Sequence, residues 1–149
     1  MLKRISFLAF FLAVNCNSSF AHEIKLEAWC GTAQPHRIDS KLKKRLENAG
    51  TTLEIRDIQS DAHLEWEAEE QLLVKKIIKV VDSKVNRNVF LATQDAWNRF
   101  IDLHSKWLFT SAMYGDAGTL GPIDVSSWHL ELRRFHVCEL NRYLEQVGG

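Results

Sequence analysis

The sequence predicts an all-α protein, a small helical bundle of three long helices plus a short N-terminal helix. From about residue 60 onwards, apolar residues recur at spacings of three and four, which is the period of one helix face. Strong turn signals in this stretch are confined to residues 86–88 and to a glycine-rich run at 115–123. Long helices with short connections therefore fit the pattern better than strands do.

The first 21 residues have the three parts of a cleavable export signal. Lys3 and Arg4 give the positive start, and residues 5–14 are almost uniformly apolar. This apolar run is shorter than the roughly 20 residues that a membrane-spanning helix needs. We expect cleavage after Ala21, a periplasmic or secreted mature chain, and no membrane association after cleavage.

Residues 22–58 predict an irregular lead-in that contains one short helix. Asp39 or Ser40 can cap this helix, and the glycine at the end of residues 48–50 can terminate it. Residues 51–58 alternate between apolar and polar, but a lone strand would have nothing to pair with. We therefore favour a loop or the beginning of a helix for this segment.

Residues 59–147 predict the helical domain itself, and its first long helix begins near Ser60. Its expected apolar positions are Leu64, Ala68, Leu72, Leu73, Ile77, Val80 and Val81. Acidic residues early in this helix and lysines late in it match the helix dipole, so the charges indicate a solvated face.

The second long helix is expected from about Val89 to Tyr114, and the last one from Asp124 or Ser126 to about Gln146. The expected core stripe of the second helix consists of Val89, Ala92, Ala96, Phe100, Leu103 and Trp107, broadened by Trp97, Ile101 and Leu108. The expected apolar positions of the last helix are Trp128, Leu130, Leu132, Phe135, Val137, Leu140, Leu144 and Val147.

The charge balance excludes one class of partner. The chain has 19 basic and 19 acidic residues and a formal net charge of zero. Nucleic-acid binding rests on clustered positive charge, which this composition does not supply. We expect a protein partner and no nucleic acid.

The cysteines suggest one disulfide. Cys16 falls in the predicted leader, which leaves Cys30 and Cys138. Two cysteines in an oxidising compartment most simply form one bridge, and the alternative is two separate buried thiols. A bridge would join the lead-in to the last helix, and Trp29 would cover it.

No recognised catalytic motif is present, and we expect neither enzyme activity nor a cofactor. His129 with Glu131, and Asp102 with His104, are spaced two residues apart, so on a helix their side chains diverge. Cleavage after Ala21 would leave His22 at the N-terminus, where its amine and imidazole could chelate copper with a second histidine. The candidates for that second ligand are His63, His104, His129 and His136. Coincidence explains His22 better.

Residues 64–144 resemble the lysozyme inhibitor LprI-like family of small exported bacterial proteins. The stretch 91–102 is similar to the family pattern of a glutamine, a tryptophan three residues later, an aromatic residue and an aspartate. The matching positions are Gln94, Trp97, Phe100 and Asp102, whereas Thr93 replaces the family's alanine before the glutamine and Ile101 replaces its arginine before the aspartate. Two family cysteine positions are occupied by Ser105 and Trp128 instead, so that family bridge is missing here.

The resemblance implies a helical exported domain that inhibits lysozyme or another peptidoglycan-cleaving enzyme by occluding its cleft. The glycine-rich run between the last two helices would then protrude into the enzyme, because loops on rigid scaffolds often carry recognition. The implied contacts are Tyr114, Asp116, Thr119 and His129. The same run also fits a simple connector. The alternative function is an envelope-associated adaptor that binds another protein through an exposed helical face.

Overall fold

The computed structural model describes residues 29–32, 34–110, 118 and 120–148. This part of the chain is all-α, with a 3-10 turn at Trp29–Gly31 followed by one short and three long helices. Their bounds are α1 Arg37–Leu46, α2 Thr52–Val80, α3 Lys84–Thr110 and α4 Gly121–Gly148. The predicted leader at 1–21 lies outside the described residues.

Local capping explains where α1 and α2 begin. The His36 ring caps α1 and accepts a hydrogen bond from the Ile38 backbone N–H, so neither Asp39 nor Ser40 is the cap that the sequence suggested. At α2 the Thr51 hydroxyl accepts from the Glu54 N–H while the Glu54 carboxylate accepts from the Thr51 N–H. This reciprocal capping box satisfies backbone donors that the helix itself leaves unpaired. Residues 52–58 therefore belong to α2.

The other two boundaries also differ from the predicted ones. Only residues 81–83 separate α2 from α3, so the polar run at 86–88 is helical. Helix α4 begins at Gly121, ahead of Asp124 and Ser126. Glycine and proline are unfavourable inside a helix but are tolerated in its first turn, which is where Gly121 and the following proline lie.

Ion pairs and hydrogen bonds fix the directions of the helices. Helix α1 runs antiparallel to α2, because Arg37 bonds Glu69 near one end while Arg45 bonds Asp61 near the other. Helices α2 and α4 run parallel, since residues 59 and 70 contact residues 127 and 133 respectively. The long helix α3 follows α2 in sequence and packs antiparallel on α4, since Phe90 contacts Tyr143 while Ser105 contacts His129.

The hydrophobic core lies between α1, α2 and α4. Trp66 of α2 and Val137 of α4 are almost completely buried there, and Ile38 of α1 closes one side. The other buried members are Leu42, Ile58, Ala62, Leu73, Ile77, Val81, Leu130 and Leu140. Helix α3 supplies only the half-buried Phe90 at the edge of this cluster. The core is therefore built by the short helix and two of the long ones.

The predicted apolar side of α2 is only half correct. Leu73, Ile77 and Val81 are buried as expected, but Leu64, Ala68, Leu72 and Val80 are exposed. Their places in the interior are taken by Trp66 and by polar residues that find partners on α4, as described below. No helix in the described ranges is long and apolar enough to cross a membrane.

The predicted disulfide between Cys30 and Cys138 is confirmed. It links the 3-10 turn to α4 with a Cα–Cα distance of 5.4 Å, across 108 positions of sequence. The neighbouring Trp29 packs against the core, and its ring lies 4.7 Å from that of His36. The bridge therefore fastens the N-terminal segment beside the start of α1 and against the last helix.

Candidate protein-binding surface

The most regular apolar stripe of α3 faces solvent. It comprises Val85, Val89, Ala92, Ala96, Phe100, Leu103 and Trp107, and we call it the α3 stripe. Its larger side chains are exposed by 70% at Val85, 59% at Val89, 44% at Phe100, 53% at Leu103 and 60% at Trp107. Both alanines are also exposed. The prediction that the residues from Val89 to Trp107 of this stripe form the core was wrong. The residues predicted to broaden it are buried or half-buried, and they are Trp97, Ile101 and Leu108.

A second, less regular face of α3 packs on α4. The buried or half-buried positions on this face are Phe90, Gln94, Trp97, Ile101, His104, Ser105 and Leu108. The Phe90 ring stacks on Tyr143 at a centroid distance of 6.4 Å, and the Trp97 ring stacks on His136 at 4.2 Å. Three residues of this face are polar, so hydrophobic periodicity could not identify it.

Buried polar groups explain why α3 presents this face to α4. The Nε2 of His136 lies 3.0 Å from the Gln94 Oε1, and the Ser105 hydroxyl lies 3.1 Å from the ring of His129. A buried polar side chain needs a hydrogen-bond partner, and α4 provides one at both places. Turning the α3 stripe inward would expose Trp97 and leave the two histidines without these partners.

The residues that carried the family resemblance divide between the two faces. Gln94 and Trp97 hold α3 on His136. Phe100 belongs to the exposed α3 stripe, and Asp102 forms an exposed ion pair with Lys106 at 2.7 Å. Half of this motif therefore positions the helix, and the other half lies at the surface.

Of the four implied contact residues, His129 is the one that the structure describes. It lies in the α3–α4 contact, half-buried, with the His104 ring 5.8 Å from its own ring. The other three contacts, Tyr114, Asp116 and Thr119, lie outside the described residues. His129 is thus engaged with α3 rather than standing free beside the glycine-rich run.

Exposed apolar side chains flank the segment between α3 and α4. Trp107 and Phe109 precede it, and Leu120 follows it, each about half exposed or more. A groove of about 300 Å³ lies close by, and its lining includes Phe109, Pro122 and His63. The exposed Trp128 lies two turns into α4. Trp107 and Trp128, which the sequence pattern placed on the apolar faces of their helices, are therefore exposed, whereas Trp66 is buried.

A buried polar network links α2 to α4. The buried Glu70 carboxylate pairs with the Arg133 guanidinium at 2.5 Å, and the His136 Nε2 lies 3.7 Å from the other Glu70 oxygen. Nearer the start of α4, the amide nitrogen of Gln59 donates to the Ser127 hydroxyl at 2.8 Å. A second partly buried ion pair joins Arg134 to Asp39 of α1 at 2.6 Å.

Burial lowers the pKa of three histidines of this region, His63, His129 and His136. It lowers the pKa of His63 and of His136 to about 4, and the nearby Arg133 charge lowers both further. Burial also lowers the pKa of His129, with a smaller contribution from His104. In contrast, burial raises the pKa of the Glu70 carboxyl against the opposing effect of Arg133.

These shifts predict a loss of stability in mild acid. A histidine with a lowered pKa binds fewer protons in the folded state, so its stabilising effect is complete above pH 6.5 and is lost as the pH falls towards 4. The limiting slope is about 1.4 kcal/mol per pH unit for each neutral histidine, and less where solvent reaches the ring. Glu70 has a raised pKa and binds more protons in the folded state than in the unfolded chain. It therefore opposes this loss, but only as the pH approaches 4.5, the pKa of the carboxyl in the unfolded chain.

Urea unfolding at a series of pH values between 7 and 4 measures this slope. We expect the free energy of unfolding to fall steadily in this range, and His136→Gln to make the fall shallower. A variant curve parallel to that of the unaltered protein would contradict the assignment to His136.

No metal centre is apparent in the described part of the chain. There, no three His, Cys, Asp or Glu side chains are arranged to hold a metal ion. The histidines considered as copper ligands have other contacts, with His63 bonded to Ser126 and His136 to Gln94. His22 lies outside the described residues.

Comparisons with protein-family models, with curated proteins and with solved structures found no match to this chain.

Proposed function

We propose that the chain is an exported, non-catalytic protein-binding domain that acts through the α3 stripe. The observation that carries this proposal is the row of seven apolar residues left exposed along a 27-residue helix. Large contiguous apolar patches on a folded domain usually mark an interaction site. Export is supported by the character of residues 1–21 and by the disulfide, which suits an oxidising compartment.

The chemistry of the stripe indicates the kind of partner. Its residues follow each other at steps of three and four, which is the spacing of a helix that packs against another helix. Ala92 and Ala96 lie in the middle, between the larger valines on one side and Phe100, Leu103 and Trp107 on the other. A partner helix could approach closely over the alanines and be held by the large side chains. The expected occupant is therefore an amphipathic helix of a protein.

Site-specific photo-crosslinking tests this proposal. A photoreactive phenylalanine analogue in place of Leu103 should yield one predominant protein adduct in cells that produce the full chain. The same analogue in place of Asn98 is the matched control, because Asn98 is exposed on the same helix outside the stripe. We expect Leu103→Glu to weaken binding to the identified partner at least about thirtyfold, the effect of losing one central hot spot. No adduct from position 103, or equal adducts from both positions, would refute the proposal.

A second candidate function is lysozyme inhibition, as the resemblance to the LprI-like family implies. It is favoured by the exposed Trp107, Phe109 and Leu120, which flank the segment containing Tyr114, Asp116 and Thr119. An inhibitor would saturate near one-to-one in a cell-wall lysis assay and would weaken on Tyr114→Ala and Asp116→Ala. Full lysis in the presence of a large excess of folded protein would exclude this function for the lysozymes used.

A further inference from the structure

We propose that the partner helix is α3 of a second copy, so that two chains pair antiparallel through their α3 stripes about a two-fold axis at Ala96. This inference rests on the proposed binding role of the stripe and names its occupant. A two-fold interface uses the same patch on both subunits, so the patch must be complementary to itself. The stripe satisfies this requirement in spacing, in side-chain size and in charge.

The spacing of the stripe is symmetric about its centre. From Val85 to Trp107 the steps are four, three, four, four, three and four residues, so the positions read the same in both directions from Ala96. In an antiparallel pair centred on Ala96, every stripe residue therefore meets a stripe residue of the other copy. A register shifted by one residue would set apolar positions against the polar flanks. A parallel pair would set each residue against its own copy, so that Trp107 would meet Trp107 while Val85 would meet only Val85.

Side-chain size is complementary in the same arrangement. Trp107 of one copy faces Val85 of the other, Leu103 faces Val89, and Phe100 faces Ala92. The bulkiest residues lie in the C-terminal half of the stripe, and the N-terminal half holds the two less bulky valines and Ala92. The antiparallel pairing sets the large half of each copy on the small half of the other, so volume is even along the contact. Two alanines at the axis allow the helices to come close.

Charge supports the same register. Asp95 and Arg99 are both exposed and lie one turn apart on one flank of the stripe. In an antiparallel pair related by a two-fold axis, the same flank of both helices comes together. Arg99 of each copy then lies beside Asp95 of the other, which gives two pairs of opposite charge. In the described part of the chain neither residue forms an ion pair within its own chain.

The available area is close to what a stable interface needs. A half-exposed large side chain offers on the order of 100 Å² of apolar surface, so the five large stripe residues offer roughly 500–600 Å². The alanines and the flanking Asp95 and Arg99 add to this. A standard interface buries about 800 Å² on each partner. The stripe therefore suits a reversible dimer.

Cysteine crosslinking tests the position of the axis. At a two-fold axis a residue meets its own copy, so purified, disulfide-bonded Ala96→Cys protein should oxidise to a covalent dimer. The Asn98→Cys control, exposed on the same helix but outside the contact, should remain monomeric under the same conditions. Equal crosslinking of both variants, or none at position 96, would overturn the proposed register.

Sedimentation equilibrium tests the energetics without crosslinking. The unaltered protein should form a dimer with a dissociation constant below about 100 μM. The Leu103→Glu variant should raise this constant at least about a hundredfold, because both copies lose the contact. Asp95→Arg and Arg99→Asp should each weaken the dimer two- to fivefold, and the double variant should restore it. The rescue excludes misfolding as the cause. A monomer at every concentration, or no rescue, would overturn the inference.

The two proposals fail in different ways. If the photoreactive analogue at position 103 couples to a different protein and the purified chain stays monomeric, the second-copy inference is wrong while the binding role of the stripe stands. If position 103 couples to nothing, the binding role itself is wrong. An adduct of twice the chain mass supports both.

Discussion

The variant Cys30→Ala/Cys138→Ala is expected to lose about 4 kcal/mol of unfolding free energy relative to the oxidised protein. The bridge spans 108 positions, and a crosslink over a loop of this length restricts the unfolded chain strongly. Nearly the whole described chain lies inside this loop. Alanine is chosen because Cys138 is buried, where a serine hydroxyl would add a cost unrelated to the crosslink.

Urea unfolding at pH 7 measures this loss, with the reduced form of the unaltered protein as the control. Reduction removes the crosslink and leaves both cysteine side chains in place. The reduced protein and the variant should therefore unfold at nearly the same urea concentration. If the variant loses less than about 1 kcal/mol while remaining folded, the loop-closure account of this bridge is wrong.

The second large effect is expected at the buried ion pair between α2 and α4. Arg133→Met should cost about 3–5 kcal/mol, because it leaves the Glu70 carboxylate buried without its partner. The Arg133 side chain is 15% exposed and that of Glu70 is 6% exposed, so water cannot replace the lost contact. The carboxyl should respond by taking up a proton at higher pH than in the unaltered protein.

Helix α4 itself provides the matched control. Arg142 pairs with Glu139 at 3.0 Å, but both side chains are about half exposed, so Arg142→Met should cost less than about 1 kcal/mol. The double variant Arg133→Met/Glu70→Gln should recover most of the loss, since it removes the unpaired charge. Equal costs for the two arginine variants, measured by urea unfolding, would show that the Glu70 pair is not an important contact.

Much of this architecture could be predicted from the sequence because it depends on local patterns. The apolar period located all three long helices, and the count of cysteines after the leader identified the Cys30–Cys138 pair. The Thr51–Glu54 capping box was also visible as a threonine followed three residues later by a glutamate. The alternation of residues 51–58 obscured it, so the start of α2 was placed too late.

The orientation of α3 could not be predicted in this way. This helix has two apolar faces, and the more regular one, which includes Val89 and Leu103, faces solvent. The face that packs is identified by Gln94 and Ser105, whose partners His136 and His129 lie 42 and 24 residues away in the sequence. A hydrophobicity pattern contains no information about such pairs. The same limit applies on α2, where Gln59 and Glu70 are buried because α4 supplies their partners.

The parallel pairing of α2 and α4 constrains the order in which the chain can fold. The core that α1 and α2 begin is completed only by residues of α4 such as Leu130 and Val137. A chain that emerges N-terminus first, from a ribosome or a translocation channel, therefore has no closed core until this part of α4 has appeared. Until then Trp66 and Ile77 remain accessible to chaperones. We therefore expect the hydrophobic core to close late, when α4 docks on α1 and α2 and brings Cys138 to Cys30.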